Sequence, residues 1–244
     1  TVNKSKLVTG TAQPQVTINN AVELTFNLPP LETQHAIVSK IEELFSELDK
    51  GIAELKTAQQ QLKTYRQSVL KFAFEGKLTN ENVKDGELPD GWEVDNFGNV
   101  VINFDGKRKP LSRTVRATRQ GKYRYYGATE IVDYIDDFIF EGRYLLIGED
   151  GANLLSKSRP LAFIVEGKFW VNNHAHIIQT KDSLNLDFLS YYFNSLNIGE
   201  YVTGTAQPKL NQANMNKIPI PVPPIEEQHR IVQEIESRLS VADK

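Results

Sequence analysis

One segment of this chain is especially rich in lysine and arginine. Eight such residues lie within the eighteen residues 107–124, where no acidic residue opposes them, and three tyrosines stand at its end. Dense positive charge neutralises phosphates, and aromatic or polar side chains beside it can contact bases. The segment therefore predicts a nucleic-acid-binding surface, and a solvated basic loop is the alternative that stays open. Its candidate phosphate-binding residues are Lys107, Arg108, Lys109, Arg113, Arg116, Arg119, Lys122 and Arg124.

Three further segments carry side chains suited to holding or reading a nucleic acid. Residues 151–159 form a polar, glycine-led stretch, and residues 172–176 combine amides with imidazoles that can hydrogen-bond base edges. Residues 203–208 form a turn of small residues that allows close backbone approach, and a structural turn is an equally good interpretation. The candidate nucleic-acid-binding residues in these segments are Asn153, Lys157, Arg159, Asn172, Asn173, His174, His176, Thr205 and Gln207.

Motifs for catalysis are absent from the sequence, which has no cysteine nucleophile, no G-x-S-x-G elbow and no P-loop. His174 and His176 alternate, so they would share one face of a strand and could begin a metal site. No third ligand follows at a typical spacing, and Glu149 and Asp150 before Gly151 are equally well explained by a turn. We therefore expect neither a catalytic residue nor a metal in this chain.

A long helix at residues 31–76 is the first element that must position these segments. Apolar residues recur in it at every seventh position, which is the pattern of a coiled-coil seam rather than of an ordinary surface helix. Pro29, Pro30 and Glu32 suit its start, and Gly76 suits its end. At about 1.5 Å per residue such a helix is about 65 Å long and needs another long helix as partner. The seam, a predicted dimer or subunit interface, consists of Ile41, Leu48, Leu55, Leu62 and Val69.

The residues after the helix indicate a mainly antiparallel β domain. Short runs rich in β-forming residues alternate with glycines, and a helical spacing of apolar residues appears only near 186–196. Residues 218–222 must be extended, because alternate prolines exclude both a helix and a central strand. The fold class is α+β, a mainly antiparallel β domain with small helices attached to a long coiled-coil helix. The expected strands are 100–104, 123–126, 131–140, 144–147, 161–165, 168–172 and 175–180.

The chain contains one long internal repeat. Residues 9–14 recur as residues 203–208, and the same offset of 194 residues matches the first fifty residues to the last fifty without a gap. A period of this length indicates a duplicated domain and helix. Either two copies complete each other, or the chain is part of something longer. The expected divisions are 1–30 as the end of one globular domain, 31–76 as the helix, 77–224 as a whole domain and 225–244 as the start of a second helix.

Composition sets the class of protein and its compartment. The chain has 244 residues with 40% hydrophobic content, so it can bury a core beside the long helix. It lacks cysteine and any apolar run of transmembrane length, from which we expect an intracellular, cytoplasmic protein without membrane contact. The net charge of −3 is unfavourable for an isolated nucleic-acid binder, but the average conceals the basic segment.

Several motifs together resemble the specificity (S) subunit of Type I restriction-modification enzymes. The first group is Leu88-Pro89-Asp90-Gly91-Trp92, Gly127–Ile135 and Leu146–Asn153; the second is Trp170–His176, Gly204–Pro208 and the helix entry Pro223-Pro224-Ile225-Glu226-Glu227-Gln228. The resemblance covers essentially the whole chain. It departs in length, because full-length members have two target recognition domains and this chain has one, as a half-length form would.

The resemblance implies a non-catalytic, sequence-specific DNA recognition subunit that reads one half of a bipartite duplex site. It implies docking of modification (methyltransferase) subunits on the long helix, with the restriction subunit as a further partner. S-adenosylmethionine, and ATP and Mg²⁺ for restriction, would be bound by those partners and not by this chain. We expect a homodimer through antiparallel long helices. The rival interpretations are a coiled-coil adaptor with a β-rich protein-binding domain and a methyltransferase with its own cofactor.

Overall fold

The computed structural model describes residues 8–9, 13, 15–22, 25, 27–80, 82–204 and 206–242. The chain divides into two compact units, Thr1–Gln59 and Gln60–Lys244. Short 3₁₀ helices at Asp105–Lys107 and Gly199–Tyr201 accompany the main elements. In chain order these are β1 (Val8–Thr9), β2 (Gln15–Val16), α1 (Ile18–Val22), α2 (Leu31–Phe74), β3 (Glu93–Asn96), α3 (Phe97–Val100), β4 (Val101–Asn103), α4 (Arg113–Ala117), β5 (Gln120–Tyr126), β6 (Ile131–Ile135), β7 (Phe140–Gly148), α5 (Asn153–Ser156), β8 (Ala162–Val171), β9 (Ala175–Thr180), α6 (Leu186–Ser195), α7 (Gln212–Met215), β10 (Pro219–Val222) and α8 (Ile225–Ala242).

The long helix is confirmed as α2, an uninterrupted helix of 44 residues. Glu32 lies in its first turn, where negative charge suits the positive end of the helix dipole. Two residues after its end, Gly76 adopts a φ of +75°, the left-handed conformation that commonly terminates helices. The chain therefore turns at the residue expected from the sequence.

The seam of α2 does not have one environment along its length. Ile41 and Leu55 are 46% and 72% exposed, and Leu48 and Leu62 are exposed as well, as expected for a surface awaiting a partner helix. Val69 is only 4% exposed and belongs to the same buried cluster as residues of α6 and α8. The structure therefore corrects the assignment of Val69, which stabilises the core of its own chain.

The same packing explains why the second unit begins before the expected boundary at residue 77. The last turns of α2 bury Val69, Ala73 and Phe74 in the core of this unit. The rings of Phe74 and Phe188 meet edge to face with their centroids 5.3 Å apart. The end of the long helix is thus part of the globular domain.

A six-stranded sheet forms the centre of this domain, in the order β4-β9-β7-β8-β5-β6. All of its pairings are antiparallel except that of β5 with β8. β10 pairs with β3 in a separate two-stranded sheet, and its two prolines place both missing N–H groups on the same edge of the strand. The α+β class with a mainly antiparallel sheet and small helices is confirmed.

The break expected between the strands 161–165 and 168–172 is wrong, for a reason that involves glycine. Residues 161–165 and 168–172 were expected as separate strands, but β8 runs unbroken through Gly167. Gly167 has a φ of +90° and pairs with Gly142 of β7, whose φ is +126°. Because both residues lack a Cβ, the two strands bend together at this point without ending. The single strand expected at 131–140 is also wrong, because β6 and the start of β7 are separated there by residues 136–139.

Helices cover the face of the sheet that carries Leu145 and Ile178. α6 is capped by Asn185, whose side chain accepts hydrogen bonds from the backbone N–H groups of Asp187 and Phe188. It packs on β8 and on α8. Within the described ranges, no helix is both long enough and apolar enough to span a membrane.

Candidate nucleic-acid interface

Two arginines of the basic segment make their contacts inside the protein. Arg108 donates from Nη1 to Glu149 Oε2 at 2.6 Å and to the Ala175 carbonyl at 2.9 Å. Arg116 donates from Nε to Asp133 Oδ2 at 2.9 Å. Both side chains are more than four-fifths buried. Their charge is therefore neutralised by carboxylates of the same chain, and we leave them out of the proposed phosphate contacts.

Two further arginines of the segment also lie against the sheet. Arg119 pairs with Asp136 at 2.7 Å and stacks over Trp170, with its guanidinium carbon 5.3 Å from the ring centroid. Arg124 lies over the ring of Tyr126 and donates to a backbone carbonyl at the β7–β8 bend. Cation–π contacts of this kind hold a guanidinium at the protein surface. The guanidinium groups of Arg119 and Arg124 are therefore engaged by the protein itself and contribute to the structure of this surface.

The other four cations of the segment are exposed and have no carboxylate partner among the described residues. Lys107 lies 5.0 Å from the centroid of Phe104, and Lys122 lies 5.3 Å from that of Tyr123. Lysines held by aromatic rings keep their charge available to solvent, because a ring does not neutralise it. The four side chains available for phosphate contact are Lys107, Lys109, Arg113 and Lys122.

The β8–β9 turn presents one amide to solvent. Asn172 Oδ1 accepts a hydrogen bond from the His174 N–H at 2.8 Å, which closes the turn, and the Asn172 N–H donates to the Tyr126 carbonyl. Nδ1 of His174 lies 2.8 Å from Asp150 Oδ2. Asn173 is exposed at the tip, with no hydrogen-bond partner in the described part of the chain. An unpaired amide held on a fixed turn has the geometry for a bidentate contact to a base edge.

The repeated turn at residues 203–208 lies beside the end of β7. Thr203 and Lys209 exchange two backbone hydrogen bonds of 2.8 and 2.7 Å. The Gly151 N–H donates to the Pro208 carbonyl at 3.0 Å, which joins this turn to the segment 151–159. Gln207 is exposed, whereas the predicted contact Thr205 lies outside the described residues. Two of the four sequence-predicted segments are therefore brought directly together, and His174 with Asp150 adds the third.

The side chain of Asn153 holds the segment 151–159 in shape. Its Oδ1 accepts from the Arg159 N–H at 2.9 Å, and its Nδ2 donates to the Arg159 carbonyl at 3.1 Å. Arg159 also forms an ion pair with Glu130 of the neighbouring loop. Lys157 has a φ of +48° and ends α5, and burial lowers the pKa of its ammonium group. The amide predicted to contact DNA is thus engaged within its own loop.

His176 lies in a buried charged network and is 1% exposed. Its Nδ1 lies 2.5 Å from Asp105 Oδ2, and its Nε2 lies 2.8 Å from the Leu210 carbonyl. With both ring nitrogens engaged and no exposed surface, this side chain cannot reach a base. The structure corrects its assignment, and His176 joins β9 to the backbone at Leu210, just after the repeated turn.

Ion pairs lower the pKa values of the two carboxylates in this network. Burial alone would raise the pKa of Asp105, but the hydrogen bond and charge of His176, the Ile177 amide and Arg108 outweigh it, so that the pKa is lowered. Glu149 is likewise buried, and hydrogen bonds from Arg108 and Lys209 lower its pKa. Both carboxylates are consequently held in the charged form.

The same residues have the donor types of a metal site. Ligand atoms of Asp105, Glu149 and His176 all lie within 4.8 Å of one another. However, Arg108 Nη1 lies 2.6 Å and Lys209 Nζ 3.1 Å from the Glu149 carboxylate. These cations supply the positive charge that a metal ion would bring, and the donor set therefore favours an ion-pair network.

Sequence reasoning missed the acidic partners of this surface. Asp133, Asp136 and Asp137 follow the basic segment along the chain, and they pair with its arginines across the β5–β6 hairpin. The adjacency of a basic and an acidic run, joined by a short glycine-containing turn, was the signal that could have revealed the pairing.

Sequences similar to this chain belong to specificity domains or subunits of type I restriction enzymes. A family model described as the Type I restriction modification DNA specificity domain matches residues 89–239. A putative type I restriction enzyme specificity subunit from Haemophilus influenzae is 36% identical over 153 residues, which cover 63% of this chain and 38% of that protein. The type I restriction enzyme EcoDI specificity subunit from Escherichia coli is 24% identical over 264 residues, covering 96% of this chain and 59% of that protein. The chain thus spans less than two thirds of either relative.

Solved structures share the fold. A chain from a study of complex assembly and conformational transition in the type I R-M system superposes with a TM-score of 0.70 at 20% identity, covering 96% of this chain and 58% of that chain. The HsdS subunit from Thermoanaerobacter tengcongensis gives a TM-score of 0.59 at 20% identity, covering 98% of this chain and 60% of that chain.

Proposed function

This chain belongs to the Type I restriction-modification DNA specificity family, and we propose that it recognises one half of a bipartite duplex DNA site. The family model covers most of the domain that carries the candidate interface. The observation that carries the proposal is the arrangement of exposed Lys107, Lys109, Arg113 and Lys122 around a sheet whose end presents Asn173. Phosphate contacts place a protein on DNA, and an amide beside them reads the sequence.

DNA binding that weakens steeply with salt is the direct test. Removing two phosphate contacts, Lys109→Ala with Arg113→Ala, should weaken binding to every duplex and reduce the log–log salt slope by about 1.8. The matched control is Lys56→Ala with Lys63→Ala, which removes the same charge from exposed positions of α2. Equal weakening in both double variants would show that only net charge matters, and would contradict the proposed site.

We further propose that two chains pair through antiparallel α2 helices and so set two recognition domains a fixed distance apart. The exposed apolar side chains Ile41, Leu48, Leu55 and Leu62 support this, because heptad residues are stabilised by burial in a partner helix. Leu55→Glu should abolish self-association in sedimentation experiments, and Lys56→Glu should not. A wild-type chain that sediments as a monomer at micromolar concentration would remove this part of the proposal.

The subunit is proposed to be non-catalytic. Modification subunits docked on α2, and a restriction subunit beside them, would bring S-adenosylmethionine, ATP and Mg²⁺ chemistry, and the complex would act in the cytoplasm. Calorimetry of the isolated chain with S-adenosylmethionine should give no heat of binding. Tight binding by this chain alone would instead favour a methyltransferase with its own cofactor.

A coiled-coil adaptor is the second candidate, and the exposed seam of α2 favours it as much as it favours a specificity subunit. An adaptor whose β domain binds protein should show no steep dependence of DNA binding on salt. The salt titration therefore separates the two functions without knowledge of the target sequence.

A further inference from the structure

Residues 107–112 cross one face of the sheet. Lys107 is the last residue of the 3₁₀ helix Asp105–Lys107, and residues 108–112 form neither a strand nor a helix. Two aromatic side chains hold this segment by its backbone. Trp170 Nε1 donates to the Lys109 carbonyl at 2.7 Å, and the Leu111 N–H donates to the Tyr125 hydroxyl oxygen at 3.0 Å. Tyr125 and Trp170 are opposite one another in the parallel β5–β8 pairing, so the two anchors stand side by side.

Leu111 is the centre of the arrangement. Its N–H is satisfied by Tyr125, and its carbonyl accepts from Arg116 Nη1 at 2.7 Å, so both of its peptide groups are bound by side chains. Its own side chain packs on a small buried cluster that contains Tyr125, Ile135 and Trp170. A residue fixed at N–H, carbonyl and side chain has little conformational freedom left.

Arg116 closes the arrangement from the other side. It lies over the Tyr125 ring, 5.0 Å from the centroid, and pairs with Asp133 on β6. α4, which begins directly after Ser112, is thereby tied to the same tyrosine. The exposed cations Lys109 and Arg113 flank Leu111, two residues away on each side.

We propose that Tyr125, Trp170 and Arg116 form a latch on Leu111 that positions Lys109 and Arg113 for phosphate contact. The latch rests on the proposed DNA-binding function and deepens it. Under this proposal the affinity of the chain for DNA depends on buried residues that do not contact DNA. A basic loop that is ordered before binding loses less conformational freedom on binding than a mobile one, and so binds more tightly. The three latch residues are positioning residues.

Tyr125→Phe removes one oxygen atom and keeps the ring that packs on Ile135 and under Arg116. We expect the full-length chain carrying it to bind a synthetic duplex of arbitrary sequence about three- to tenfold more weakly, the worth of one hydrogen bond. The salt slope should fall, because fewer phosphates are engaged at once. Hydrogen exchange at the Leu111 amide should accelerate, and the melting temperature should stay close to that of the wild type. Tyr134→Phe, on the neighbouring strand β6, is the matched control and should change none of these quantities.

A double-mutant cycle separates positioning from a general structural effect. In a background that already carries Lys109→Ala and Arg113→Ala, Tyr125→Phe should cost no further affinity, because the cations that the latch positions are gone. Trp170→Phe, which removes the Nε1 donor and keeps an aromatic ring, should behave in the same way. If one of these two variants perturbs folding, the other still tests the latch.

The outcomes distinguish failure of the latch from failure of the proposed function. Wild-type binding to DNA combined with unchanged binding of Tyr125→Phe overturns the latch alone. An affinity loss that adds fully to that of the cation variants also overturns it, since Tyr125 would then act elsewhere. Absence of salt-dependent DNA binding by the wild-type chain overturns the proposed function, and the latch with it.

Discussion

The cationic side chains of the basic segment form two groups with different roles, and solvent exposure distinguishes the groups. Four arginines are partly buried and direct their N–H groups to partners within the protein, whereas the neighbouring lysines face solvent. These arginines are Arg108, Arg116, Arg119 and Arg124. Planar guanidinium groups suit internal ion pairs and aromatic stacking, while lysine keeps a strongly hydrated charge at the surface. Alanine scanning of the segment should therefore give stability losses at these arginines and affinity losses at the lysines, and Arg116→Ala should lower the affinity for DNA as well because it removes part of the latch.

Asn173 is where we expect sequence to be read. Asn173→Ala should reduce discrimination between the cognate sequence and random DNA by about 1–3 kcal/mol, because a bidentate amide contact to adenine is lost. The measurement is the ratio of affinities for cognate and random duplexes in the assembled complex. Asn82→Ala, an exposed amide in the linker after α2, is the control. Equal loss on both kinds of DNA would refute base readout at this turn.

Asp105 should link stability to pH. Because its folded pKa lies below the unfolded value of about 3.9, its ionised form stabilises the fold above that pH, and the stabilisation is lost as pH falls through the folded pKa. Asp105→Asn should therefore lower the urea midpoint at neutral pH, and its difference from wild type should shrink below about pH 4. Asp90→Asn, an exposed carboxyl, serves as control. A difference that stays constant with pH would contradict this account.

At the scale of elements, α2 is a surface helix for most of its length and a core helix at its end. The change occurs between exposed Leu62 and buried Val69. Its termination at Gly76 then aims the chain into the linker, where a Cβ on Gly76 would lie 2.1 Å from Pro89 Cγ. The helix end is therefore specified by backbone conformation and by packing together.

Two glycines of this helix region make a matched pair. Gly76→Ala should destabilise the domain by more than about 1 kcal/mol, because it adds a clash to an unfavourable positive φ. Gly51→Ala should instead stabilise α2 by about 0.5–1 kcal/mol, because Gly51 is inside the helix and nothing lies within 4 Å of its added Cβ. Urea unfolding followed by circular dichroism measures both. Opposite signs are expected, and a neutral Gly76→Ala would show that the turn tolerates a side chain.

At the scale of the whole molecule, the 194-residue repeat places the same helix entry in two environments. Gln228 is fully buried, donating from Nε2 to the Pro223 and Ser183 carbonyls and accepting at Oε1 from the Asn185 N–H. Its counterpart Gln34 makes the bond within its own entry, to the Pro29 carbonyl at 2.8 Å. The local bond is thus repeated, and the two bonds to the loop before α6 are specific to the second copy among the described contacts.

The repeat supplies its own control for a stability measurement. Gln228→Ala should cost about 2–3 kcal/mol, because it leaves buried partners unsatisfied. Gln34→Ala, which removes one hydrogen bond at a partly exposed position, should cost less than about 1 kcal/mol. Thermal unfolding of both variants measures the difference. Similar losses would show that Gln228 contributes only its local bond.

The features that the sequence alone determined are those decided by neighbours along the chain. The heptads of α2, its end at Gly76, the helix near Leu186 and the extended Pro219–Val222 follow from periodicity, glycine and proline, which act within a few residues. Only the tertiary structure decided which cations face solvent, since Arg108 meets Glu149 41 positions away and Arg116 meets Asp133 17 positions away. Burial of Val69 and the two-sided hydrogen bonding of His176 have the same origin. Ion pairs and burial depend on which distant segments the sheet brings together, and local sequence patterns do not specify those long-range contacts.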